Sequence, residues 1–186
     1  MSLDEIRLRI DRVDQEIKKL FLERMDCAQS VAEEKAKTGG EVFVPAREEA
    51  IIASRTADVD DSRRAEYTCF LNLLMSISRR YQYGLLPDIQ QQVLATLGRQ
   101  SGLDLTAPHT QVRISFVCQS DEPKLALLAN MAVLNEITIS QLQVASSSGT
   151  QTVTATLLGS VSQSNMRRLL CQLEKETTGF ALIGLA

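Results

Sequence analysis

The sequence predicts an α plus α+β protein, a helical first part followed by a mixed second part, and three observations carry that prediction. Apolar residues in the first 84 positions recur in steps of three and four, the spacing of one helix face. Beyond about residue 110 they alternate in short runs with a period of two, the mark of half-buried strands. The charge density also changes near residue 84: the first 84 residues hold 14 Lys and Arg against 16 Asp and Glu, and the remaining 102 hold 6 against 7.

The first helix is drawn by Leu3, Ile6, Ile10, Val13, Ile17, Leu20, Arg24, Cys27 and Val31, the a/d seam of a long helix that packs on partner helices. It is expected to run to about residue 37 and to end at Gly39-Gly40, which suit a C-terminal cap. One seam position carries a guanidinium: Arg24 is tolerated there only beside an anionic partner. A second helix starts near Pro45, with Arg47, Glu48 and Glu49 in its opening turn. A third, about 62 to 84, places Phe70, Leu73, Leu74 and Ile77 on one face. Such a long seam cannot be buried by two shorter helices of the same chain, so a homodimer is expected.

A helical extension and linker fill 85–110. After it come a strand at QVRISFVC, a helix at LALLANMAVLN, strands at TISQLQVAS and TQTVTATLLG, a helix at NMRRLLCQLEKETTG and a closing strand at FALIGLA. The order βαββαβ is that of a ferredoxin-like fold. The expected domains are therefore 1–84 and 111–186, joined by 85–110.

Composition excludes several function classes. At 186 residues with 44% hydrophobic content, the chain can bury a sizeable core, and its formal net charge of -3 does not give the basic face that nucleic acids need. Neither a secretory leader nor an apolar run of about 18 residues is visible, so a cytoplasmic protein is expected, without membrane contact. Cys27, Cys69, Cys118 and Cys171 are widely spaced with no nearby histidine, and are expected to be buried thiols rather than metal ligands. The single histidine, His109, sits in the linker, which leaves histidine-based acid–base or triad chemistry without its main component.

What remains is a set of cations and amides on matched helix faces. Arg24 and Lys35 are 11 residues apart, so they fall within roughly 20° of each other on the first helix. Ser78 and Gln82 share a face of the third helix with Leu71 and Met75. The Gly39-Gly40 hinge brings Arg47 back toward Lys35, which makes a pocket for an anion with several carboxylates. Arg7 points roughly 100° away from Arg24, so a pocket in a second chain is its expected recipient.

The ordered set Arg7, Ile10, Asp14, Arg24, Val31, Lys35, Arg47-Glu48 and then SRRYQ with Ser78 and Gln82 resembles the all-helical class of chorismate mutase over residues 3–84. The resemblance implies an intertwined dimer of three-helix chains. It also implies the Claisen rearrangement of chorismate to prephenate in aromatic amino-acid biosynthesis, without cofactor, metal or covalent intermediate. By the same resemblance Arg24, and Arg7 from the partner chain, bind substrate carboxylates, with Arg47 and Ser78 near the ring carboxylate. Lys35 and Gln82 hydrogen-bond the ether oxygen, and Glu48 with Lys35 holds the ring hydroxyl. Val44 is a departure, since some members of that class carry an acidic residue there.

Residues 111–186 resemble the ACT domain, a small module that often binds amino acids and pairs through its sheet or helices. Lys124 follows Pro123 where a glycine is usual, so the resemblance implies either an amino-acid effector site or a purely dimer-reinforcing role. With all site residues before residue 84, a chain ending near residue 98 is expected to keep its turnover. Two other functions fit the same residues: elimination of pyruvate from isochorismate in a similar cationic pocket, and a non-catalytic dimeric regulator that binds a dicarboxylate or a partner protein.

Overall fold

A computed structural model describes all 186 residues, Met1 to Ala186. Helix α1 runs Leu3–Thr38, and its start is fixed by a capping box in which the Ser2 hydroxyl accepts from the Glu5 amide while the Glu5 carboxylate accepts from Ser2. It ends where Gly39 adopts φ 73°, a left-handed conformation that costs glycine nothing, and the Gly39 N–H closes on the Lys35 carbonyl. Helix α2 is Pro45–Thr56 with proline in its first turn, and α3 is Asp61–Leu85, capped by the Asp60 carboxylate on the Ser62 amide. The expected extension 85–110 contains a further helix, α4, Pro87–Ser101, which stops at Gly102 with φ 67°.

The second part follows the expected order: β1 Gln111–Gln119, α5 Lys124–Leu134, β2 Ile139–Ser147, β3 Thr150–Leu158, α6 Ser164–Glu176 and β4 Thr178–Leu185. Its strands form one antiparallel sheet in the order β2-β3-β1-β4. Val112, Ile114, Phe116 and Cys118 of β1 and Val153, Ala155 and Leu157 of β3 point into one core with Leu128 and Met131 of α5 and Leu169, Leu170 and Leu173 of α6. That core continues into Tyr83, Leu86, Val93 and Leu97, because α3 and α4 pack on the outer side of α6. His109 braces the linker. Its Nδ1 lies 2.7 Å from the Ala107 carbonyl and its Nε2 accepts from the Val161 amide at 2.9 Å, a structural use of the ring.

Two readings of the sequence are corrected, one on α3 and one on the cysteines. On α3 the face with Phe70 and Leu73 stays exposed, and the buried positions are Leu71, Met75, Ser76, Ser78, Arg79, Gln82 and Tyr83. The helix is wedged between α1 and α6, and both neighbours meet polar groups. On α1 the seam from Leu3 to Leu20 is solvent-exposed within one chain, as expected of a stripe too long for two shorter helices to cover; Cys27 and Val31 are exposed as well, while Ala28 and Ala32 are the buried residues. The α1–α3 contact therefore runs one residue beside the seam, and a helical stripe of more than five turns is left bare. Of the four cysteines only Cys118 and Cys171 are buried; Cys27 and Cys69 lie at the surface. Burial pushes the Cys171 thiol up to about 12.

Buried polar contacts join the two parts of the chain. Arg79 of α3 bonds Glu176 of α6, and the Gln172 amide donates to the Ser76 carbonyl at 3.2 Å. Asn135, buried at the end of α5, accepts on its Oδ1 from Arg80 Nε at 3.2 Å and from Arg168 Nε at 2.6 Å. A chain ending near residue 98 loses all of these partners and uncovers Tyr83, Leu86 and Leu97. The expected outcome is a lower urea midpoint than that of the full chain, because a buried arginine deprived of its partner is strongly destabilising. Equal midpoints at equal subunit concentration would contradict this account of the interface.

Candidate active site

The cation cluster forms where α1, the start of α2 and α3 meet. Arg24 reaches across from α1 to donate to the Leu74 carbonyl at 3.3 Å and to the Ser78 hydroxyl, while that hydroxyl donates to Leu74 at 3.0 Å. Ser78 thus fixes Arg24 through its lone pairs. Three turns further along α1, Lys35 Nζ donates to the Val42 carbonyl at 3.3 Å and to Gln82 Oε1 at 3.4 Å. With its oxygen turned to Lys35, the Gln82 amide keeps its N–H groups as donors. The Gly39 cap makes this possible, since it reverses the chain so that Val42, a buried residue, comes back beside the end of the helix it has just left.

The electrostatics are those of a site with too many cations. Desolvation lowers the Lys35 pKa first and the nearby Arg47 charge lowers it further, against the opposing pull of Glu48. Arg24 is lowered by desolvation and then by Arg55. Arg47 itself is exposed in the first turn of α2. Arg55, in the last turn of α2, belongs to the same field and was not among the residues expected from sequence. A ligand with two carboxylates would relieve this repulsion, and planar guanidinium groups match carboxylates in geometry.

Glu48 occupies the border of the cluster. Its charge acts on both Arg24 and Lys35, yet both of its oxygens accept from Arg79 Nη1. Arg79 is the main residue that sequence reasoning missed. It stands next to Ser78, is buried, and lies on one helix line with Ser76 and Tyr83. On its far side begins a second concavity of about 660 Å³ between the two parts of the chain, with Phe43, Glu48, Arg79, Lys124 and Glu176 in its walls. None of Arg24, Lys35, Ser78 or Gln82 lines it. Lys124 is turned toward the helical part, its Nζ 5.3 Å from the centre of the Phe43 ring.

Arg7 is the one expected site residue that a single chain does not bring near the others. It is exposed, paired at 3.4 Å with Asp4, and the 17 residues to Arg24 span about 25 Å of helix. Lys35, Gln82, Glu48, Arg24, Arg47 and Ser78 all gather around the α1–α3 contact and the α2 start.

No helix in the chain is long and apolar enough to cross a membrane. No curated protein matches the sequence. Residues 6–83, the segment that supplies every member of the cation cluster, match the family model described as Chorismate mutase type II, so that this helical segment is similar to chorismate mutases of that type.

Proposed function

We propose that the chain is a chorismate mutase, an isomerase that rearranges chorismate to prephenate, with its helical domain at 1–84, a connecting helix and linker at 85–110 and an ACT-like domain at 111–186. The observation that carries this reading is the convergence of Lys35 and Gln82, where Lys35 Nζ donates to Gln82 Oε1 at 3.4 Å and the amide N–H groups stay available, inside a cation cluster within the matched segment. In a pericyclic rearrangement no proton is abstracted. Catalysis consists of holding the compact conformer and stabilising negative charge on the ether oxygen as its C–O bond breaks. Lys35 and Gln82 would meet that oxygen, and their interaction strengthens as the charge grows, which is the kind of binding that raises the rate. Arg24, Arg47 and Ser78 would receive the carboxylates, with Glu48 on the ring hydroxyl.

The bare stripe on α1 and the distance of Arg7 support a homodimer in which each chain lends Arg7 to its partner's site. The βαββαβ order and the sheet order β2-β3-β1-β4 support the ACT-like reading of the second domain. Its role is assembly or regulation, with an amino acid as the candidate effector. The product is prephenate, which a separate enzyme would consume in the cytoplasm.

A single absorbance and product assay tests the activity. Chorismate is expected to disappear with formation of prephenate. Conversion of isochorismate to salicylate and pyruvate would make the chain a lyase, and turnover of neither would leave a dicarboxylate-binding regulator. Lys35→Ala should lower kcat by roughly 10²- to 10³-fold, the usual effect of losing one preorganised donor. Near-parental turnover in a folded Lys35→Ala protein would rule the assignment out.

The lowered Lys35 pKa fixes the sign of the alkaline response. The donor must be protonated, so kcat/KM should begin to fall at a pH below the ordinary lysine range of about 10.4. In Lys35→Arg whatever activity persists should lack this limb, and a limb unchanged by that substitution would assign it to another group.

Sharing of sites between chains has its own test. Arg7→Ala and Lys35→Ala proteins, each nearly inactive, are mixed and allowed to exchange subunits. Half of the dimers at equal mixing are then heterodimers with one unaltered site, which gives about one quarter of the parental activity. Demonstrated exchange without recovery would remove Arg7 from the partner's site.

A further inference from the structure

Arg79 is the most fully committed cation in the molecule. Its Nε donates to Glu176 Oε1 at 2.7 Å, its Nη2 to Glu176 Oε2 at 2.8 Å and to the Ser76 hydroxyl at 3.0 Å, and its Nη1 to both oxygens of Glu48. The guanidinium carbon also lies 4.8 Å from the centre of the Phe43 ring. Every nitrogen of the fork is used, so its plane and position are fixed. The side-chain exposures descend from 20% at Glu48 through 8% at Arg79 to 0% at Glu176. Glu176 is the deep anchor, and Glu48 is the end that meets solvent and the cation cluster.

We propose that Glu176 and Arg79 are positioning residues for Glu48, so that the docking of α6 on α3 holds the carboxylate of the mutase site in place from the other domain. The geometry leaves little alternative use for the pair. If Arg79 served packing alone, its bidentate bond to Glu176 would satisfy a buried charge, and its third side would have no reason to meet a partly exposed residue of α2. Instead that side grips a carboxylate whose charge also reaches Arg24 and Lys35. Arg79 cannot swing away with Glu48 without leaving Glu176 buried and unpaired, which is costly. Glu48 is therefore confined to a small set of positions, as recognition of one hydroxyl group requires. The inference rests on the mutase reading only for what Glu48 recognises.

Two measurements test it, and they fail separately. The first is a double-mutant cycle in urea with Glu48→Gln and Glu176→Gln, which needs no activity. Coupling through the shared guanidinium should make the two effects on the unfolding constant depart from additivity by at least about 5-fold, whereas groups with no common partner add. Additivity overturns the proposal even if the chain is a mutase. The second compares kcat/KM for chorismate with that for its analogue lacking the ring hydroxyl. Glu176→Gln should lose about 10-fold on chorismate and little on the analogue, and should lose nothing further once Glu48 is Ala. An equal loss on both substrates, a loss that persists in Glu48→Ala, or a gain in activity overturns it. If the parent turns over neither compound, the mutase reading falls and the urea cycle still decides the coupling. Should Glu176→Gln not fold, the double substitution Arg79→Met with Glu176→Leu replaces the buried pair by apolar groups of similar size. It frees Glu48 and should show the same selective loss.

Discussion

One buried guanidinium, Arg79, joins the two halves of this chain. A cation taken out of water to this depth is stable only with anions and aligned acceptors around it, and here they come from three places: Glu48 on α2, Ser76 on its own helix and Glu176 on α6. Glu176, whose pKa burial raises against the pull of Arg79, is in turn acceptable in the interior only because that cation is present. The pair therefore fixes where α6 docks. From α6 the packing of the sheet follows on one side and that of α4 on the other.

The same constraint explains why α3 has an unusual inward face. Between α1 and α6 the helix buries Ser76, Ser78, Arg79 and Gln82 beside Leu71, Met75 and Tyr83. Apolar substitutes at Ser78 and Gln82 would pack as well against α1, but Arg24 and Lys35 would lose the acceptors that orient them. Helix α3 thus serves as the rigid element on which the cation cluster is built, with donors and acceptors placed by helical spacing rather than by loops.

Much of this could be read from residue spacing. The Gly39-Gly40 stop, the Pro45 start, the common face of Ser78 and Gln82 and the βαββαβ order depend on local rules of capping and periodicity, and these govern the observed elements. Arg79 was hidden because its burial depends on a partner 97 residues away. Next to Arg80, and in a charged stretch, it reads as one more solvated cation. Glu176 likewise looks like an ordinary helix-end charge in QLEKETTG. The seam of α1 was legible as a packed face too long for one chain to cover, and one chain supplies nothing to pack on Leu3 to Leu20. Periodicity reports that a face is to be covered and says nothing of which chain covers it.

The charge balance gives the site its purpose. Arg55 acts on Arg24 and Arg47 on Lys35, and the carboxylate that opposes both effects, Glu48, is shared with Arg79. The lowered pKa of Lys35 means that the unfolded chain holds its proton more tightly than the fold does. Stability is therefore gained as pH rises through the interval between the folded and unfolded values, and at neutral pH the protonated lysine costs the fold free energy. Desolvation is the larger cause and the Arg47 charge the next; a bound dianion would offset the repulsion from Arg47 without removing the proton. Such a ligand would stabilise the cluster at the pH where its donors are charged, as the proposed catalysis by fixed charge requires.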